Sequence, residues 1–464
     1  MGAGTAQGGA CLLISGKERK NMEFVVFAGV LLLLFIFMIV QELIQTKNQE
    51  KLFKKYLREN YGKEPPKEYS LERFARLGSY LERHKEEKQL DDITWNDLGM
   101  DEVFRRIDRT YSAAGEEYLY YTLRNISCGR EALEHLEEVV NWLQEQENIK
   151  VRIQLLMKRL GHLGKYSLYD YLDNLDYLGE RSNRKIVLGN LLYLPFLLLL
   201  FVQPAMGTIG IVLCMLWHIM TYFREKKVIE PYIISFAYVL RLIDVCEELE
   251  KQKIPVYRRE LDELREALKS LRELRRGAYW VMAGNQGKIG GNPLDILADY
   301  LRMILHLDIF QFNRMLEKLR KKTGQVETML AITGYLDMAI SVGGFRKSLE
   351  GYCIPKLEED TEKAFLHMKK GWHPLLSQPV KNSIRADRGI LLTGSNASGK
   401  STFLKMVAVN AVLAQTIHTC AAESYHAPIF QIFSSMALRD SMENGESYYI
   451  VEIRSLKRIL DAAG

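Results

Sequence analysis

The chain has 464 residues, of which 47% are hydrophobic and 26% are charged. Such a composition argues against a disordered chain, and the length allows roughly two to four domains. The formal net charge of +5 is small for this length, so it permits a nucleic-acid partner without requiring one. Six cysteines lack any Cys-x-x-Cys spacing, which favours reduced, mostly buried thiols over disulfides or a zinc site: Cys11, Cys128, Cys214, Cys246, Cys353 and Cys420.

The first apolar segment, residues 24–40, is seventeen residues long and has no charge. A helix of this length spans roughly 25 Å, just enough for a bilayer core. A cleaved signal peptide would need small residues after the run, but Gln41 and Glu42 follow, so we predict an uncleaved membrane anchor. Basic residues after the run predict that its C-terminal side is cytoplasmic, and an alternative start at Met22 would remove the basic residues before it.

A second apolar block, residues 186–223, has no charged residue and is interrupted once, at Gln203 and Pro204. It predicts two short membrane helices joined by a tight turn, and a buried hairpin of a soluble protein is the alternative. Asn190 and His218 within the block are more typical of helix-packing contacts than of a transport path. Basic residues flank both ends and predict that both ends are cytoplasmic: Arg181, Arg184 and Lys185 before the block, and Arg224, Lys226 and Lys227 after it.

Two further segments, 45–185 and 228–350, have the apolar spacing of helices. In the first, Thr110 and Ser112 offer N-cap chemistry before a helix start near Gly115. Basic clusters in the second, at 272–276 and 318–322, could meet phosphates, although a solvated face is the commoner role of such charges. Five leucines form an amphipathic stripe that suits a long lever or clamp helix: Leu261, Leu264, Leu268, Leu271 and Leu274.

The segment that carries chemistry runs from Gly389 to Thr402. Its apolar start, residues 390–392, predicts a buried strand, the next residues match the phosphate-binding pattern Gly-x4-Gly-Lys-Ser, and a helical pattern follows. Glycines let such a loop wrap so that main-chain N–H groups point at phosphate oxygens, and the helix N-terminus adds a favourable potential.

We therefore predict that this loop binds ATP and Mg²⁺. Lys400 would contact the β- and γ-phosphates, and Ser401 would ligate Mg²⁺. The predicted nucleotide-binding residues are contiguous: Gly394, Ser395, Asn396, Ala397, Ser398, Gly399, Lys400, Ser401 and Thr402.

These residues resemble the ATPase loop of the MutS mismatch-repair family, with Asn396 at the family's usual asparagine. Residues 371–376 are similar to the short His-Pro element before that family's ATPase sheet, and residues 335–339 to the end of its lever helices. Residues 445–452 resemble the glycine-serine segment, which implies that Ser447 contacts the nucleotide of a partner subunit in a homodimer. Two N-terminal segments resemble a membrane-bound bacterial MutS-like subgroup more loosely: 91–98 and 114–119.

The sequence departs from the family pattern in three ways. No segment before the levers resembles the mismatch-reading domain, and Ala397 and Ser398 stand where repair proteins usually have Met-Gly. The chain also ends at Gly464, before the strand that would carry the Walker B aspartate and glutamate. Because those carboxylates hold Mg²⁺ and polarise the attacking water, we expect a C-terminally truncated chain with no complete catalytic set, weakened ATP binding and little hydrolysis.

The expected fold class is mainly α, with a partial C-terminal α/β P-loop ATPase domain and three transmembrane helices. The expected function is a membrane-associated, ATP-dependent, DNA-binding ATPase of the mismatch-repair type in its full-length form. A nucleotide-binding membrane scaffold or a signalling ATPase without a DNA role is the alternative, and three apolar spans are too few for an ABC-type transporter. The expected order is a tail and membrane helix (1–44, helix about 24–40), a cytoplasmic helical region (45–185), a membrane hairpin (186–223), a core and lever region (228–350) and the truncated ATPase domain (365–464).

Overall fold

The computed structural model describes residues 29, 37, 40–41, 44–64, 69–85, 89–126, 129–163, 167–275, 293–359, 364–396, 398–436 and 448–463. The chain divides into two compact units, residues 1–61 and 62–464. In the first unit, residues 44–60 are helical. The membrane helix expected at 24–40 lies almost wholly outside the described residues and stays a prediction.

Seven short helices begin the described part of the second unit, and four of them have a side-chain N-cap. The α4 helix starts where the sequence predicts, because the Ser112 side chain accepts a hydrogen bond from the Gly115 N–H at 3.0 Å. Asp91 caps α2 in the same way through the Thr94 N–H at 2.8 Å. The bounds are α1 (Leu71–Arg83), α2 (Asp92–Leu98), α3 (Met100–Ile107), α4 (Ala113–Arg124), α5 (Arg130–Glu145), α6 (Glu147–Leu160) and α7 (Leu168–Asp173).

The apolar block folds into a helical hairpin made of α8 (Arg184–Leu191), α9 (Tyr193–Val202) and α10 (Pro204–Glu250). The turn falls at Gln203, and Pro204 opens α10, where its missing N–H costs no helical hydrogen bond. The two arms touch closely, since a Cβ on Gly210 would lie 2.1 Å from the Phe196 ring. The α10 helix runs without interruption across residues 223–228, so the expected boundary between hairpin and lever region lies inside one helix.

Four more helices follow: α11 (Arg258–Leu271), α12 (Pro293–Leu305), α13 (Leu307–Leu319) and α14 (Thr323–Ser348). The predicted leucine stripe is confirmed, because all five of its side chains are buried. The α14 helix packs against α4, α5 and α11 and is the centre of the helical core.

Three helices in the described part are long and apolar enough to cross a membrane: Arg184–Val202, Pro204–Glu250 and Thr323–Ser348. The three helices differ in burial. The share of the most apolar segment that is buried inside the protein is 6% in the first helix, 28% in the second and 83% in the third. The third is α14, which the sequence analysis assigned to a soluble lever. Its apolar surface is already covered by protein, so its hydropathy reflects a place in the core.

A small mixed sheet lies beside the last helices. Its strands are β1 (Lys356–Glu358), β2 (Leu366–Gly371), β3 (Asn382–Ala386) and β4 (Ser424–Pro428), in the order β1-β4-β2-β3. The β1–β4 pair is parallel, with Leu357 opposite Ala427, and both other pairs are antiparallel. The α15 helix (Lys400–Ile417) lies between β3 and β4 in the chain, and the α16 helix (Tyr448–Ala463) follows β4. The fold is therefore mainly α with a small sheet, as expected at that level.

Candidate functional site

The segment before the glycine-rich loop is not a strand, so the prediction of a buried strand at 390–392 is wrong. Ile390, Leu391 and Leu392 are 54%, 88% and 36% exposed and have no regular secondary structure. A strand is stable only when a neighbour pairs with its main chain, whatever its side-chain preference. In the described part of the chain the sheet ends at β1 and β3, and neither pairs with this segment.

The loop and the helix after it have the predicted relation. The α15 helix begins at Lys400, and Gly399 before it has φ +87°, a left-handed conformation that favours glycine. Gly394 also lies in close contact, since a Cβ there would come 2.9 Å from the Ser398 hydroxyl. A larger side chain would therefore strain the backbone at Gly399, whereas at Gly394 it would require the Ser398 hydroxyl to move.

Lys400 folds back over the loop. Its ammonium donates hydrogen bonds to the Gly394 carbonyl at 2.7 Å and to the Ser395 carbonyl at 2.6 Å. The loop thus curls around the Lys400 ammonium, which donates here to two main-chain carbonyl oxygens. Such an arrangement positions an ammonium where an anion with stronger acceptor oxygens could compete for it.

The N-terminus of α15 is open to an anion. No side chain caps it, because the N-cap residue is Gly399. Ser401 and Thr402 in the first turn are exposed, as are Gly394, Ser395, Asn396 and Ser398. Uncapped N–H groups at a helix start carry partial positive charge and bind anions. Two predicted site residues, Ala397 and Ser447, lie outside the described residues, so their contacts stay predictions.

The His-Pro element, residues 371–376, is hydrogen-bonded to α15. Trp372 and His373 are buried after β2, and the Trp372 carbonyl accepts a hydrogen bond from Asn410 at 3.0 Å. Asn410 also accepts from the Ala421 N–H at 2.7 Å, so one buried amide joins the helix to both neighbouring segments. Burial, and then the positive charge of Lys405, lower the pKa of His373, which favours its neutral form. Sequence reasoning missed Asn410, because an asparagine inside an apolar helix gives no sign of its partners.

A buried ion pair joins the other end of α15 to the helical core. Arg346 of α14 donates to both carboxylate oxygens of Glu137 in α5, at 3.0 and 2.7 Å. The same guanidinium donates to the Thr419 hydroxyl at 2.8 Å and to the His418 carbonyl at 3.0 Å. Burial raises the pKa of Glu137, but hydrogen bonds from His418 and Arg346 outweigh it and lower that pKa to about 2. Arg346 therefore connects α14, the central helix, to the residues that directly follow α15.

The fold and the site together define a mostly helical protein with a small mixed sheet and a glycine-rich loop at the exposed start of a largely buried helix. Residues 390–464 match the family profile of MutS domain V. A DNA mismatch repair protein MutS of Leptospira interrogans is 30% identical over 171 residues, which cover 34% of this chain and 20% of that protein. A MutS of Acholeplasma laidlawii is 32% identical over 148 residues, covering 31% and 17%.

The C-terminal part of the chain is therefore similar to MutS proteins, and its last 75 residues match MutS domain V. The family resemblance inferred from the loop and the segments around it is thus confirmed. The aligned region spans only about a fifth of the length of the curated relatives.

Proposed function

We propose that this chain binds the triphosphate of ATP at residues 394–402, as a MutS-family protein. The observation that supports this most is the position of Lys400, whose ammonium lies inside the curled loop at the uncapped start of α15. A triphosphate entering there gains an ammonium, the main-chain N–H groups of the first helical turn and the helix potential at once. These contacts are local, so the segment at 390–392 need not be paired for phosphate to bind.

Mg²⁺ and a second subunit complete the proposed site. The Ser401 hydroxyl, exposed in the first turn of α15, would hold Mg²⁺ together with phosphate oxygens. When bound, Mg²⁺ neutralises phosphate charge. Ser447 of one protomer would contact the nucleotide of another, which makes the proposed assembly a homodimer. The low hydrolysis rate expected from the sequence stays a prediction, and release of inorganic phosphate from ATP would measure it.

Replacing Lys400 by alanine tests the proposal. We expect Lys400→Ala to weaken ATP binding at least tenfold, because a charge-assisted contact contributes roughly 1.5–3 kcal/mol. The measurement is a titration of the full chain with a fluorescent ATP analogue and Mg²⁺. Lys405→Ala, the same change of charge one turn further along α15, is the matched control and should bind like the original chain. Equal affinity in both variants would reject the loop as the phosphate site.

We also propose a membrane location with the hairpin α8–α10 inserted. Its first arm is 19 residues long and its most apolar segment is 6% buried within the protein. Exposure of so large an apolar surface to water is unfavourable, whereas a lipid bilayer would cover it. Basic residues at both ends of the block, 181–185 and 224–227, fit cytoplasmic ends. The soluble parts would then be cytoplasmic.

DNA binding is part of the proposal only through the relatives, which are named as DNA mismatch repair proteins. One observation favours the alternative of a nucleotide-binding membrane scaffold or signalling ATPase without a DNA role. The basic cluster at 318–322 is engaged within the chain, because Lys318 pairs with Glu273 at 2.7 Å and Arg320 donates to the Leu175 carbonyl at 2.6 Å. Duplex DNA titrated at 50 mM and 200 mM salt separates the two, since phosphate contacts predict a steep loss of affinity with salt.

A further inference from the structure

A cavity of about 410 Å³ lies where the hairpin meets the helical core. Its walls come from α8 and the residues just before it, from the middle of α10, and from the first half of α13 with His306 before it. If the hairpin is inserted as proposed, the basic ends at Lys185 and Arg224 set this cavity at the depth of the lipid headgroups. Neither the nucleotide loop nor the MutS match at 390–464 involves it.

Two cations at the cavity are available for a ligand. Lys185 and Arg224 both line it and are exposed, and the described part of the chain offers neither of them an ion-pair partner. Arg181 differs, because Glu225 binds it at 3.3 Å. An ammonium from α8 and a guanidinium from α10 that line the same cavity fit a phosphate group.

Other residues of the cavity provide hydrogen-bond acceptors instead of cations. Asn313 is 6% exposed, and its amide N–H donates to the Asn183 side chain at 2.9 Å. Its carbonyl oxygen has no hydrogen-bond partner within the described residues, although it is buried. Glu180 adds a carboxylate to the same cavity. A buried acceptor without a donor costs about 1–3 kcal/mol, so a ligand that supplies a donor would be bound favourably.

Trp217 connects the cavity to the apolar surface of the hairpin. It lines the cavity and is 49% exposed, and Leu188 of α8 and Met220 of α10 are also exposed. Tryptophan at the end of a membrane helix is typical of the headgroup level. A ligand with a polar head in the cavity could therefore lay acyl chains along the hairpin.

We propose that this cavity binds a glycerophospholipid whose headgroup carries hydrogen-bond donors, such as ethanolamine or glycerol. The phosphate is bound by Lys185 and Arg224, and the headgroup donors by Asn313 and Glu180. The inference rests on the proposed membrane location but not on nucleotide binding.

Lipid retention tests this inference on the full chain, extracted in mild detergent and exchanged against phosphatidylethanolamine or phosphatidylcholine. Mass spectrometry of the purified protein should show retained phosphatidylethanolamine in preference to phosphatidylcholine, which has a phosphate but no headgroup donor. Lys185→Gln combined with Arg224→Gln should reduce that retention about tenfold or more. Arg184→Gln with Lys227→Gln removes two neighbouring charges outside the cavity and should retain lipid like the original chain.

A second variant and a soluble competitor separate the remaining outcomes. Asn313→Leu should abolish the preference for ethanolamine over choline while leaving total retention closer to normal. If millimolar sn-glycerol 3-phosphate displaces the lipid, the cavity is a site for soluble phosphate esters and the lipid assignment is overturned. Equal retention by the Lys185/Arg224 and Arg184/Lys227 variants would also overturn it. Extraction of the chain without detergent would instead contradict the membrane location.

Discussion

At the scale of single residues, Asp337 shows how much of this fold depends on one buried charge. Its carboxylate accepts hydrogen bonds from the Ser112 N–H at 2.9 Å and the Ser112 hydroxyl at 2.6 Å, and from the Tyr111 N–H. These contacts hold the start of α4 against the middle of α14. The helices approach closely there, since a Cβ on Gly334 would lie 2.6 Å from the Ala114 carbonyl.

Replacing Asp337 by leucine should lower the free energy of unfolding by about 3 kcal/mol, because buried donors lose their acceptor. The measurement is the thermal or urea unfolding transition of the full chain in detergent. Asp262→Asn, at an exposed position of α11 whose ion pair among the described residues is with Arg265 one turn away, is the control and should change stability by about 0.5 kcal/mol or less. Equal effects of the two substitutions would show that Asp337 is not the contact that joins α4 to α14.

The sequence predicted one half of this contact and not the other. Ser112 was identifiable as an N-cap because capping is a local property of a few residues. Asp337 lies 225 residues away, and nothing in its neighbourhood indicates that its carboxylate is buried. Lys400 is the opposite case, since its role in the loop depends on a pattern of eight adjacent residues.

At the scale of elements, the ion pair between Glu137 and Arg346 connects α5, α14 and the end of α15. The Arg346 side chain is fully buried and that of Glu137 is 19% exposed, and both make several hydrogen bonds. Breaking such a pair leaves an uncompensated buried charge. The ion pair therefore joins the C-terminal end of α15 to both α5 and α14.

The stability of this connection should depend on pH in a defined direction. Because the pKa of Glu137 is lowered to about 2 in the folded chain, its charge stabilises the fold above its ordinary pKa near 4.5. Glu137→Gln should cost on the order of 2 kcal/mol at pH 7. The difference from the original chain should shrink as pH falls from about 5 towards 2, in unfolding curves recorded across that range. A difference that stays constant over these pH values would mean that the Glu137 charge is not involved.

The prediction of secondary structure failed at a strand, because a strand forms only when its main chain pairs with a neighbouring strand. The hairpin, the leucine stripe and α15 follow from apolar spacing within one segment, and the structure has all three. The segment 390–392 has the composition of a strand but lacks a paired neighbour in the described part of the chain. Strand formation depends on residues distant in sequence, so composition alone cannot predict it.

At the scale of the whole molecule, hydropathy and burial have to be considered together. Both α14 and the α8–α9 arm are apolar enough to span a bilayer, but only the latter leaves that surface uncovered. Their sequences differ in the same sense, since the 186–223 block lacks charge over its whole length, whereas α14 includes Asp337 and Arg346. That the block crosses a membrane stays a prediction.

The membrane proposal predicts the behaviour of the whole chain on extraction. The chain should stay with the membrane fraction in alkaline carbonate and be released by detergent, because the hairpin arms are too apolar to leave the bilayer. Introducing arginine at Leu198 and at Val212, exposed positions on the two arms, should weaken insertion. Arginine at Tyr177, also exposed but outside the hairpin, should have no such effect. Release of the unaltered chain by carbonate would remove the membrane assignment.

The central claim is that a triphosphate is bound by the main chain at the start of α15. Hydrogen–deuterium exchange of the full chain, with and without ATP and Mg²⁺, tests it most directly, because the loop amides are exposed and should exchange rapidly when free. We expect slower exchange at residues 394–402 with ATP, unchanged by Lys405→Ala and lost in Lys400→Ala. Binding of ATP that protects other residues and leaves 394–402 unprotected would contradict it.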